Sequence, residues 1–162
     1  MKKSLFVGFV FSLFLVSCEK NFDAGRNEIS IYSEVEDGIV FDIDGDVVKL
    51  LYKEEFQMEW LPTYTIGGQS WRLPTEREIS QLSSDRKKLN KALRQAGGDK
   101  FGGNFYWYDE KNGTSEAERY SFDNKMVWYS DFTYNKNYAR YVREDSYNRL
   151  SEKTDSGYTD KK

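Results

Sequence analysis

The segment "GIVFDIDGDVVKLLY", Gly38 to Tyr52, sets two alternating apolar runs on either side of an Asp-Gly pair. Alternation with a period of two sends successive side chains to opposite faces of a strand. An Asp-Gly pair between such runs supplies the left-handed backbone that a two-residue hairpin turn needs. With Asp44-Gly45 as the turn, Phe41 faces Val48 and Ile39 faces Leu50, so both strands point apolar groups the same way. This self-consistency commits the chain to an antiparallel sheet.

The same residues admit two chemical readings, and each fails on its own requirements. A calcium loop of EF-hand type counted from Asp42 needs glycine at its sixth position and glutamate at its twelfth. Those positions hold Val47 and Lys53. Similarity to the nucleophile loop of dehalogenase-type phosphatases would require a hydroxyl or small residue after the glycine and a helix beyond it. Here Asp46 follows, and then a second strand pattern. Asp42, Asp44 and Asp46 therefore predict a turn and no metal site.

The clearest helix signal is "LPTEREISQL", Leu73 to Leu82. Thr75 and Glu78 have capping-box spacing, which satisfies the exposed N–H groups at a helix start. A second helix is expected from about Asp85 to Ala96, with Leu89, Ala92, Leu93 and Ala96 on its buried side and Gly97-Gly98 as its stop. Lys87, Lys91 and Arg94 form a stripe on the other side, read as a solvated face rather than a site for acidic glycans.

Before the hairpin, "EISIYSEV" alternates and suggests a first strand with Ile29, Ile31 and Val35 on one face. After the helices, "FYWYDE", "MVWYSDF" and "ARYVRE" are aromatic and strand-like, with polar loops between them. From Asp145 to Lys162 there is almost nothing apolar to bury, so a flexible polar tail is expected over 145–162. No internal repeat is present.

Lys2 and Lys3 precede the uncharged run "LFVGFVFSLFLV", whose 12 residues are too few to span a bilayer. The run ends in "LVSC", which resembles a bacterial lipoprotein box. Residues 1–17 thus read as a signal peptide and Cys18 as the lipidated residue. Residues 18–35 read as a tether with a possible first strand. Acyl chains anchor through about 0.8 kcal/mol per buried methylene. The expected location is the cell envelope, as an outer-membrane lipoprotein facing either the surface or the periplasm.

Cleavage would leave 145 of the 162 residues, enough for one domain. It would remove Lys2 and Lys3 from the 24 basic residues and none of the 27 acids, giving a net charge of −5. That balance argues against a nucleic-acid partner. The chain has no histidine and only one cysteine. Ser-His and Cys-His mechanisms are thereby excluded, together with the usual zinc ligands, and no cofactor is expected.

"GIVFDIDGD", "GGQSWRLPTEREISQL", "FYWYDE", "VWYSDF" and "ARYVRE", in that order over residues 36–144, resemble the Fibrobacter succinogenes major paralogous domain family. Trp71, Arg72, Leu73, Pro74 and Thr75 match its helix start. Tyr106 and Trp107 match its first aromatic strand, Trp128 and Phe132 its second, and Val142 and Arg143 its last. Tyr108 and Asp109 stand where the family usually has two serines. The resemblance implies an α+β chain of C-type-lectin-like fold, two helices packed on a small twisted antiparallel sheet. Paired cysteines and the E-P-N or W-N-D calcium tripeptides are absent, so calcium-dependent sugar binding is not implied.

The function expected from this reading is a non-catalytic recognition module, anchored to the membrane by lipid and binding a glycan or protein ligand. The alternative is a structural or accessory component of a fimbria-like or other surface assembly. An enzyme of the formylglycine-generating type shares the fold, but it uses an active-site cysteine pair that this chain lacks. The segment Tyr108–Arg119 and the loop Thr133–Tyr138 read as exposed connections leaving antiparallel neighbours. Tyr108, Asp109, Asn112, Tyr134 and Asn137 are accordingly the candidate ligand-binding residues, combining aromatic rings with hydrogen-bonding groups.

Overall fold

A computed structural model describes residues 28–123 and 127–156. The leader, Cys18 and most of the tether lie outside the described residues, as does the chain after Ser156.

The elements run β1 (Glu34–Val35), β2 (Gly38–Asp44), β3 (Val47–Tyr52), β4 (Phe56–Met58), β5 (Thr63–Ile66), β6 (Gln69–Arg72), α1 (Glu76–Ser84) and α2 (Arg86–Gln95). Then follow β7 (Phe105–Asn112), β8 (Glu116–Ser121), β9 (Val127–Phe132), β10 (Asn137–Ala139), β11 (Val142–Ser146) and α3 (Tyr147–Ser156). A six-stranded sheet has the order β1-β2-β3-β11-β6-β5, and a five-stranded sheet the order β4-β10-β7-β8-β9. The chain is α+β, but with two sheets and three helices among the described residues where one sheet and two helices were expected.

The second sheet follows from the hairpin, whose two faces are both apolar. Ile39, Phe41 and Leu51 lie in one core with Ile79, Leu82, Leu89 and Leu93 of the helices and Tyr106 and Tyr120 of the second sheet. Val40, Val48 and Leu50 lie in another core with Trp71, Leu73, Trp107, Tyr141 and Leu150. A sheet that is apolar on both faces must be covered on both.

The hairpin register differs from the expected one. Asp44 pairs with Val47, so Gly45 and Asp46 make the turn, and of the two only Gly45 has a positive φ, 57°. Ile39 therefore faces Leu51 and Val40 faces Leu50, with a bulge between Val40 and Asp42. The early strand is also shorter than its alternation suggests. Ser33 Oγ donates to the Ser30 carbonyl (2.7 Å) and Tyr32 takes φ 70°, a turn that leaves Ile31 exposed between buried Ile29 and Val35.

The helices form where expected. Thr75 is the N-cap of α1 and makes the full capping box with Glu78. Gly97 takes φ 72° and the Gly98 N–H donates to the Leu93 carbonyl (2.8 Å), which ends α2 in the left-handed manner.

Two stretches expected to be irregular are regular. Glu116–Ser121 is a central strand, because its polar side chains find partners in the sheet: Arg119 with Asp131 (2.8 Å) and Asn137 (2.9 Å), Glu118 with Asn112. The expected tail is folded at least to Ser156. Leu150 of α3 is fully buried, and Arg149 and Lys153 pair with Glu36 in the β1–β2 turn. One buried leucine with matching charges suffices to dock a short helix.

Three arginines lie over aromatic rings, Arg140 and Arg143 in the interior and Arg119 half-buried. Arg140 lies over Phe101 (4.8 Å), Arg143 over Trp71 (4.9 Å) and Arg119 over Phe105 (4.3 Å). Each has a buried Nε without a hydrogen-bond partner. The ring faces take part of the interaction that an acceptor would otherwise supply. Arg140 also donates to the carbonyls of Lys53 (2.6 Å) and Asp99 (2.9 Å) and to Glu55 (3.2 Å), tying three loops together.

Candidate functional site

The site is assembled where two connections of the five-stranded sheet meet. β7 and β8 pair as far as Asn112–Glu116, and β8 and β9 pair as far as Glu116–Phe132. The β7–β8 turn and the β9–β10 loop are therefore neighbours. The Thr133 N–H donates to the Ser115 carbonyl and the Thr133 carbonyl accepts from the Trp60 N–H, both at 2.9 Å. The loop is held from both sides.

Asp131 organises the loop from within. Its carboxylate accepts from Asn135 Nδ2 (2.7 Å), Asn137 Nδ2 (2.9 Å) and the Phe132 N–H (2.9 Å), and pairs with Arg119 (2.8 Å). Burial works to raise its pKa, but the hydrogen bonds from Asn137, Asn135 and Phe132 and the charge of Arg119 outweigh it and hold the carboxyl low. The loop's shape thus rests on a charged hydrogen-bond network.

This frame presents two aromatic rings to solvent. Phe132 and Tyr134 are 43% and 62% exposed, with centroids 5.2 Å apart and planes 8° from parallel. Leu61, beside Trp60, is also exposed, and Lys111 Nζ lies 5.5 Å from the Trp60 ring centroid. Asn112 borders the same end, its amide donating to Glu118 and to Ser130 Oγ (3.2 Å). Asn112, Glu116 and Phe132 are register partners, so the stacked pair shares its face with an amide and the carboxylates of Glu116 and Glu118. Lys111, in register with Ala117 and Asp131, lies on the other face with Trp60.

The sequence-predicted residues divide accordingly. Asn112 and Tyr134 come to this end of the sheet. Asn137 is buried and supports the loop between Arg119 and Asp131. Tyr108 is only 3% exposed, so it belongs to the core and not to a binding face. Burial raises the pKa of its phenol, and nearby Glu118, Glu110 and Glu76 add to the shift. It lies where the β7–β8 register shifts, between Trp107 and Lys111, and not in a loop. Its carbonyl accepts from Trp60 Nε1 (3.1 Å). Asp109 is exposed, but its N–H donates to the Pro74 carbonyl (2.9 Å), which ties it to the start of α1.

Phe132, Trp60 and Lys111 were not among the predicted residues. Phe132 was readable as the last apolar position of a strand, which ordinarily faces a core. Here it lies exposed at the end of the edge strand β9, stacked on Tyr134. No protein-family model matches the chain, and no curated protein matches it.

Proposed function

We propose that this protein is a non-catalytic recognition module of the bacterial cell envelope, anchored by lipid at Cys18, which binds a glycan or protein ligand at the Phe132–Tyr134 end of its second sheet. The observation that carries this reading is the exposed stacked pair on a loop fixed by Asp131, Trp60 and Ser115. Two large rings held in water by a rigid frame lose little conformational entropy on binding, which suits them to stacking on a ligand.

We read the α+β arrangement as a C-type-lectin-like one. Trp71, Leu73 and Pro74 are buried while Arg72 and Thr75 engage Glu78, so the stretch resembling the family's helix start acts as one structural unit. The C-terminal strand β11 also returns to pair with the early strand β3.

The test is a glycan and peptide array probed with the parent and with Tyr134→Ala. Specific binding by the parent that the variant loses supports the reading. Binding unaffected by Tyr134→Ala and Phe132→Ala overturns the assigned face. For the anchor, Cys18→Ser is expected to abolish detergent-phase partitioning, and unchanged partitioning would refute lipidation.

A further inference from the structure

The six-stranded sheet ends on β5, and among the described residues no strand pairs with its outer edge. Exposed edges in native sheets are commonly blunted by charge, bulges or brevity, which keeps other chains from adding to them. β5 has none of the first two. Trp60 to Trp71 contains no charged residue in a chain that is 31% charged, and β5 pairs with β6 without a break from Thr63–Arg72 to Ile66–Gln69. Of the other edge strands, β1 has two residues, β4 has three, and β9 carries Asp131.

The direction of β5's free groups follows from one bond. The Leu73 N–H donates to the Pro62 carbonyl (2.8 Å), marking Pro62–Leu73 as a hydrogen-bonded position. Antiparallel pairs alternate between bonded and non-bonded. Tyr64–Trp71 and Ile66–Gln69 are then bonded positions, as the two-residue Gly67-Gly68 turn also requires. Thr63 and Thr65 direct their N–H and C=O groups outward. The Tyr64 ring packs on Tyr141 (5.7 Å) and Phe56 (5.7 Å) and remains 39% exposed.

We propose that β5 is a self-pairing edge, through which two copies of the chain join antiparallel about a two-fold axis into one continuous sheet. Only outward-facing residues can form the new bonded pairs. The register that uses all of them sets Thr63 of each copy opposite Thr65 of the other. Tyr64 then meets its own symmetry mate at the non-bonded position, where side chains approach most closely. A second copy is the occupant that fits. The edge is uncharged, so two identical edges meet without repulsion, and a two-fold pairing needs only one self-complementary surface. β5 and the Phe132–Tyr134 loop lie in different sheets, so this inference does not depend on the recognition reading.

So short a pairing is expected to give a dissociation constant on the order of 0.1 mM. Sedimentation equilibrium on the full chain in density-matched detergent, from about 10 µM to about 1 mM, covers that range. Thr65→Pro removes an outward N–H without breaking a bond to β6, a substitution that edge strands accommodate. Thr65→Lys places a charge on the edge and keeps the backbone intact. The parent is expected to be a concentration-dependent dimer. Both variants should weaken dimerisation at least about tenfold, with the circular-dichroism spectrum unchanged. A parent that stays monomeric throughout overturns the proposal. So does a folded Thr65→Lys that associates as tightly as the parent.

Discussion

Arg72 grips both carboxylate oxygens of Glu78, at 2.7 and 2.8 Å, while the same carboxylate closes the capping box by accepting the Thr75 N–H at 2.9 Å. One acid therefore joins strand β6 to the first turn of α1, with Lys49 of β3 at 3.5 Å as a further partner. Thr75→Ala removes one cap and should cost about 1 kcal/mol. Glu78→Gln should cost more, about 2–3 kcal/mol, because it strips the charge from a buried group that three elements use. Urea unfolding of the two variants checks the ranking. Equal costs would mean that the ion pair adds nothing to the cap.

Acid should unfold the protein through Glu78 and Glu36. Burial alone would raise both carboxyls, but for Glu78 the bonds from Arg72 and the Thr75 backbone, with the charges of Arg72 and Lys49, prevail. For Glu36 the bonds from Lys153, Arg143 and Arg149 prevail. Both are lowered from 4.5 to about 2. A folded-state pKa below the unfolded value stabilises the fold above the unfolded pKa, and that stability is lost as pH falls through the folded one. The urea midpoint should be level above about pH 5 and fall between about 4.5 and 2. Glu78→Gln should flatten this descent, and an unchanged slope would exclude the assigned origin.

Two tyrosines that look interchangeable in the sequence should behave oppositely. Tyr108→Ala empties a core position and should cost about 3–5 kcal/mol. Tyr134→Ala should leave stability within about 0.5 kcal/mol and cost at least about 1 kcal/mol of ligand binding. Thermal melts separate them before any ligand is known. A destabilised Tyr134→Ala would mark its ring as structural.

Adjacent glycines after α2 give a contrast of another kind. A Cβ on Gly98 would lie 2.6 Å from the Lys53 carbonyl oxygen, whereas Gly97 has open space but φ 72°. Gly97→Ala should cost about 1 kcal/mol, from the left-handed backbone alone. Gly98→Ala must displace a backbone carbonyl and should cost about 2–3 kcal/mol. Chemical denaturation of both gives the comparison.

How much could be read in advance depended on how local the determining physics was. The α1 cap needed only Thr75 and Glu78 three residues apart, and the α2 stop only Gly97 and Gly98, so both ends were legible. The hairpin was legible as a hairpin, but its turn was misplaced by one residue. Only the paired strand shows that Phe41 sits at a bulge. β8 was hidden because Arg119 and Glu118 look like loop residues until Asp131, Asn137 and Asn112 arrive from other strands. α3 was hidden for the same reason, since Glu36, the partner of Arg149 and Lys153, comes from 113 residues before Arg149 in the chain. In the candidate site, the loop at Tyr134 was foreseeable and the burial of Tyr108 was not. Alternation identifies two faces of a strand without saying that both are covered.

The strand order also fixes a sequence of events in time. β11 lies between β3 and β6, and β10 between β4 and β7, so the stretch 137–146 supplies an inner strand to each sheet. Until those residues leave the ribosome, β3 and β6 have no neighbour to join them, and β4 has none at all. Neither sheet can close before residues 137–146 have emerged, because the long-range pairings that join its strands wait on them. A chain whose sheets wait on residues 137–146 keeps its earlier strands loose until then, which is the state in which a polypeptide can be threaded through a narrow channel.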